Sequence, residues 1–154
     1  MQEIVLGAGC FWGVEQRFCE TTGVVETEVG YCGGITSNPT YKEVCSGNTG
    51  HAEVVRVVFD DSIIGLDQVL STFWDCHNPT TKNRQGPDIG SQYRSAIFYN
   101  SEDQKRTAIE SLNLHQAKLD KKIVTEITKL EQFYPAEAYH QKYFQKNPNH
   151  FCGI

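Results

Sequence analysis

The residue best placed to act as a nucleophile is Cys10, which follows Gly7-Ala8-Gly9 and directly precedes a helical pattern. A thiol at a helix start faces unpaired backbone N–H groups and the positive end of the helix dipole, and both favour thiolate over thiol. The neighbouring glycines let another molecule approach the backbone closely. A second candidate is Glu53. It has the parity of Val55, Val57 and Phe59, so it opens the apolar side of a strand. A carboxylate entering a dry region is reluctant to ionise, which is what a proton donor near neutral pH requires. Trp12 lies off the helical stripe formed by Phe11, Val14 and Phe18, and an aromatic wall beside a nucleophile suits a small apolar group such as a methyl. Phe11 is on that stripe, so core packing accounts for it equally well. Tyr41, Tyr93 and Tyr99 bring phenols into or beside two long loops; tyrosines commonly serve as amphipathic packing residues.

Other chemistries are weakly supported. The six cysteines stand at 10, 19, 32, 45, 76 and 152 with no C-x-x-C pair, a poor spacing for structural zinc. His51-Ala52-Glu53 has the H-x-E form of zinc deaminases, but the partner P-C-x-x-C is absent, as is any H-E-x-x-H. No metal and no cofactor is expected. Cys10 with His51 or His77 would make a thiol hydrolase, since such pairs meet in space and not in sequence. A redox-responsive binding module without turnover is a third reading.

The elements that must position these residues follow from hydrophobic period. Glu3 to Leu6 reads as a strand, and Phe11 onward as a helix closed by Gly23. Val24 to Tyr31 reads as a half-exposed strand with Val25, Val29 and Tyr31 on one side and Glu26 and Glu28 on the other. Asn38-Pro39 predicts the start of a short helix over 40–46, and Ala52 to Phe59 is the clearest strand. Leu66, Val69, Leu70, Phe73 and Trp74 recur as one face of a helix. A long loop over 77–92 leads to a strand from Tyr93 to Tyr99. Ser101 with Gln104 predicts a capping box for a helix to about Leu119. Ile123 to Thr128 reads as a strand, and Pro135 as the opening of a last helix carrying Tyr139 and Tyr143. The class is α+β: a ferredoxin-like β-α-β-β-α-β core with a mixed sheet, followed by a C-terminal α-β-α extension.

Length and composition are those of one domain over 1–154: 39% of residues are hydrophobic and 21% charged. A net charge of -5 with scattered basic residues argues against nucleic acid or an anionic membrane surface as partner. No apolar run approaches the ~20 residues of a membrane helix, and no signal-type stretch follows Met1, so a cytoplasmic location is expected; a monomer is the expectation for oligomeric state.

With Gly9-Cys10-Phe11-Trp12-Gly13 in view, the chain resembles the A-type peptide methionine sulfoxide reductases over nearly its whole length. Further matching stretches are Gly30-Tyr31-Cys32-Gly33-Gly34, Gly50-His51-Ala52-Glu53-Val54, and Asn83-Arg84-Gln85-Gly86 with Gln92-Tyr93-Arg94-Ser95. Phe133-Tyr134-Pro135-Ala136-Glu137 and Tyr139-His140-Gln141 match too. The resemblance implies that Cys10 attacks the sulfoxide sulfur and that Glu53 protonates the departing oxygen. It implies that Tyr41 and Tyr93 hydrogen-bond that oxygen, that Phe11 and Trp12 receive the methyl group, and that Asp88 lies near the substrate pocket. Methionine S-sulfoxide, free or in proteins, is the implied substrate, a rung of the oxidation ladder that cells reverse. A sulfenic acid on Cys10 would then be resolved by another thiol and reduced through thioredoxin. The family carries a resolving cysteine in the region of Cys152.

Spacing leaves more than one resolving thiol open. Cys19 is nine residues along the helix from Cys10, a rise of ~13 Å, too far for a disulfide unless the helix unwinds. Cys45 and Cys76 fall in expected helices and read as buried. Cys32, beside Gly33-Gly34, is a possible relay. Cys32, Asn78 and Ala138 depart from the family's usual residues, as does His150-Phe151-Cys152, which lacks a glycine that eases movement there.

Overall fold

The computed structural model describes residues 1–149. Six strands form one mixed sheet. Its centre is β1 (Gln2–Ala8), paired antiparallel with β3 (Ala52–Phe59) on one side and β6 (Ser95–Tyr99) on the other. β2 (Val24–Cys32) lies antiparallel beyond β3. Those four strands, with α1 (Phe11–Cys19) and α3 (Leu66–Asp75) as crossovers, make the expected ferredoxin-like core. The C-terminal half adds α4 (Glu102–Gln116), then β7 (Glu126–Lys129) parallel to β6, then β8 (Tyr134–Pro135) antiparallel to β2.

Period-two alternation divides the strand residues between two cores. Ile4, Leu6, Val29, Tyr31, Val55, Val57 and Ile97 face the helices and pack with Phe11, Phe18, Leu70 and Phe73. Val5, Val54, Ala96 and Phe98 face the other way, with Cys32 and Ala52 among them, and are covered by Leu130 and Phe133. A Cβ at Gly30 would collide with the Phe133 ring and the Tyr134 carbonyl oxygen, so glycine is what lets this segment cross β2. The far end of the same face is polar: Arg56 bridges Glu3 and Glu28 from β3.

Several elements differ from the pattern reading for local reasons. Val25 is 52% exposed, because it is the extra residue of a bulge where pairing with β3 steps from Val24 to Glu26. α2 (Tyr41–Cys45) is capped by Thr40 and not by Asn38; Thr40 and Glu43 form a reciprocal capping box. Ser101 caps α4 as expected, but the Gln104 side chain accepts from the Asn100 amide, one residue further back. The 77–92 loop contains a small hairpin, β4 (Arg84–Gln85) with β5 (Asp88–Ile89), and Tyr93 ends a single turn before β6. Pro135 opens no helix: it pairs with Gly30 in β8, and the helix α5 (Tyr143–Lys146) starts later.

His77 ties the end of α3 to β6. Its Nδ1 lies 2.7 Å from the Phe73 carbonyl and its Nε2 2.7 Å from Ser95 Oγ. Burial holds its pKa at about 4 against an ordinary 6.5, a carbonyl hydrogen bond opposing. The unfolded chain therefore binds an extra proton between those values, and stability must fall as pH drops through that window. The expected loss is roughly 3 kcal/mol. Urea titrations of the wild type and His77→Gln at pH 7 and pH 4.5 check it: the difference between the two proteins should shrink at the lower pH.

Candidate active site

β1 ends at Ala8, paired with Ser95, and the chain turns into α1 through Gly9 at φ +99°. A Cβ there would sit 2.9 Å from Cγ of Gln85. That buried glutamine holds the 78–85 loop through the Asn78 amide and carbonyl, so the loop and the turn brace each other. Cys10 is the half-buried residue before α1, and its side chain does not cap the helix. α1 has no acid in its own first turn. The carboxylate that meets the positive helix end comes instead from β3: the Phe11 N–H donates to Glu53 Oε1 at 3.2 Å. Glu53 is 1% exposed, on the helix-facing side of its strand, opposite Tyr31. Strand parity and helix start thus bring a buried carboxyl to the peptide next to Cys10.

Aromatic rings surround this pair. Phe11 is fully buried, with its ring 5.7 Å from Tyr31, 6.3 Å from Tyr41 and 5.2 Å from His140. It belongs both to the core and to the ring cluster. Trp12 is half-buried; its indole N–H donates to His140 Nδ1 at 2.9 Å, and Tyr143 stacks on it at 3.8 Å. Tyr41 enters from α2, held by its backbone N–H to Glu137 Oε2, while Glu137 Oε1 accepts from the Tyr31 hydroxyl. Burial, then the Glu53 charge, raises the Tyr41 phenol well above its ordinary pKa. The same two causes raise Tyr93, with smaller contributions from Cys45, Asp88 and Cys10. Both phenols are therefore neutral O–H donors at any physiological pH. Asp88 and Tyr93 come from the hairpin region, where the Tyr93 phenol feels the Glu53, Asp88 and Cys10 charges.

Sequence assigned no role to three members of this cluster, although Glu137 and His140 fall in stretches that match the family: His140, Tyr143 and Glu137 lie about a hundred residues or more from the rings and amides they contact. Cys45 is a fourth. It was expected to be buried on α2 but is exposed, at the end of the short helix that Tyr41 begins. The other cysteines stand apart. Cys19 contacts Thr27 Oγ1 at 3.2 Å, and Cys32 faces the opposite side of the sheet among Val5, Val54 and Phe98. Cys76 is half-buried and its thiol is pushed up to about 12 by burial. Cys152 lies outside the described residues.

Neither histidine of the hydrolase alternative is available to Cys10. His51 is held in the 33–36 loop, its Nδ1 accepting from the Gly34 amide at 3.0 Å and its Nε2 2.6 Å from the Thr36 carbonyl. His77 is committed to α3 and β6 as described. Among the described residues no cluster of three or more His, Cys, Asp or Glu could hold a metal ion, and no helix is long and apolar enough to cross a membrane.

A cysteine at a helix start, a buried carboxyl beside it and a ring of phenols and apolar aromatics define a thiol-dependent enzyme on a ferredoxin-like sheet. A family model described as peptide methionine sulfoxide reductase matches residues 2–154. The peptide methionine sulfoxide reductase MsrA of Clostridium tetani is 53% identical over 154 residues, covering 100% of this chain and 94% of that protein. Methionine sulfoxide reductase A of Corynebacterium diphtheriae has a solved structure that matches with a TM-score of 0.95 at 42% identity, over 98% of this chain and 77% of that one. Mxr1 from Saccharomyces cerevisiae in reduced form matches with a TM-score of 0.94 at 38% identity, over 98% and 88%. Its complex with Trx2 matches at 0.67 and 26% identity, over 92% and 84%. This chain belongs to the peptide methionine sulfoxide reductase family.

Proposed function

We propose that the chain reduces methionine S-sulfoxide, free or in proteins, by direct attack of the Cys10 thiolate on the sulfoxide sulfur. The observation that carries this reading is the Phe11 N–H bond to Glu53, which sets a buried carboxyl against the peptide that follows the nucleophile. A sulfoxide oxygen leaves poorly unless it is protonated, so the thiolate must work beside an acid. Glu53 supplies that proton, and the neutral Tyr41 and Tyr93 hydroxyls donate to the same oxygen. Trp12, backed by Phe11, receives the methyl group, and Asp88 borders the pocket beside Tyr93. Attack forms a bond between the Cys10 sulfur and the substrate sulfur; the protonated oxygen then passes to the Cys10 sulfur as the S–O and S–S bonds to the substrate sulfur both break, leaving methionine and a Cys10 sulfenic acid.

Cys152 then attacks the sulfenic sulfur; water leaves and a Cys10–Cys152 disulfide forms. Thioredoxin returns it to two thiols by disulfide exchange, becoming oxidised itself. Support for that partner comes from the yeast relative's complex with Trx2. Cys32 is poorly placed as a relay, because the sheet separates it from Cys10. One domain over 1–154 carries the whole cycle, as a cytoplasmic monomer in protein repair after oxidation, with no bound cofactor.

The test is one equivalent of a methyl sulfoxide added to fully reduced protein, followed by mass spectrometry of its peptides. The expected result is one methionine-type sulfide per enzyme and a peptide linking Cys10 to Cys152. A link from Cys10 to Cys45 or Cys32 would remove Cys152 from the cycle. No sulfide product would remove the reductase reading.

A further inference from the structure

α1 carries a second buried carboxylate that the chemistry above does not use. Glu15 is 1% exposed, a costly setting for a charge unless donors surround it. Three do: the Lys142 amide gives to Oε1 at 2.7 Å, while Lys142 Nζ at 3.0 Å and Thr27 Oγ1 at 2.8 Å give to Oε2. The ammonium also meets the Thr27 carbonyl at 2.6 Å and Thr27 Oγ1 at 2.8 Å, so each of its three protons has an acceptor.

Lys142 reaches this position at the cost of a left-handed backbone, φ 54° and ψ 42°. The residue before it, Gln141, is equally fixed: its side chain takes the Val29 N–H at 2.9 Å and gives to the Val29 carbonyl at 2.8 Å, in place of a neighbouring strand. The residue after it, Tyr143, begins α5 and lies flat on Trp12. An ion pair on a buried carboxylate and a left-handed residue therefore stand where the chain passes from β2 to the aromatic cluster. Ten positions separate Lys142 from Cys152.

We propose that Glu15 and Lys142 are positioning residues of the reductase: their pair fixes the chain direction at 142, which lays Tyr143 on Trp12 and sets where the segment bearing Cys152 leaves α1. The proposal rests on the reading of Trp12 and Cys152 given above.

Lys142→Met keeps the apolar stem and loses the charge; Lys142→Gly also relieves the left-handed backbone. Three quantities are read in each. The first is the near-ultraviolet circular dichroism of the stacked Trp12–Tyr143 pair, identified by difference from Tyr143→Leu. The second is the methyl sulfoxide concentration that half-saturates single-turnover reduction, and the third the rate at which Cys10 and Cys152 become linked. Both variants should lose the stacking signal and raise the half-saturating concentration several-fold while keeping the saturated single-turnover rate. Linking should slow about tenfold or more, because small displacements of a reacting group are that expensive. Glu15→Gln gives the same answer should the Lys142 variants fail to fold. An intact signal with wild-type half-saturation and linking would overturn the proposal and leave the pair a stability element. Should the wild type form no Cys10–Cys152 link, the reading of Cys152 fails, and the stacking signal and half-saturation still decide the role of the pair.

Discussion

Replacing Cys10 by serine is expected to abolish sulfoxide reduction and leave the fold intact. Serine is nearly isosteric and is itself a favoured residue at the position before a helix, so α1 loses nothing by the change. What disappears is the thiolate. A serine hydroxyl needs a neighbouring base, and the His51 and His77 rings are both bonded elsewhere. No other described thiol substitutes. Cys19 is tied to Thr27, Cys32 is on the far face of the sheet, Cys76 is raised by burial, and the Cys45 thiol is also raised, by partial desolvation at the end of α2. Methionine formation with an excess of small dithiol, together with a urea titration for stability, tests this. Substantial turnover in a folded Cys10→Ser protein would mean a different nucleophile.

The parts of the site that could be read from sequence are those governed by local rules. Glycine-cysteine at a strand-to-helix junction is a local statement, and the structure places Cys10 at that junction. Glu53 could be read because parity along an unbroken strand is reliable, and β3 pairs without a shift from Cys32↔Ala52 to Glu26↔Val58. Parity failed at Val25, where a bulge slips the register by one residue and turns an apolar side chain out to solvent. Pro135 failed for a different reason. Proline suits the first turn of a helix, but it suits an edge strand equally, and the bare Gly30 beside it admits a strand. How the rings pack together around Trp12 could not be read from local rules. Its contacts to His140 and Tyr143 cross most of the chain, and nothing in periodicity records a contact of that span. Cys45 misled because a short helix has no fixed buried face: α2 buries Val44 and exposes the residue after it.

Glu53→Gln should slow the reduction step by ~10²–10⁴-fold, the span of general acid catalysis, with little other change to the protein. An amide oxygen can still accept the Phe11 N–H, so the contact that locates the side chain survives the substitution. What it removes is a transferable proton and a possible negative charge. Near-ultraviolet circular dichroism that matches the wild type shows, independently of rate, that the aromatic surroundings of the site are intact. The kinetic loss belongs to the first step alone: methionine appears slowly in a single turnover, whereas exchange of a preformed disulfide with thioredoxin proceeds at the wild-type rate. A fall confined to disulfide exchange would place Glu53 in recycling. Unchanged single-turnover kinetics in a variant with a wild-type dichroism spectrum would show that the carboxyl beside Cys10 is not the acid.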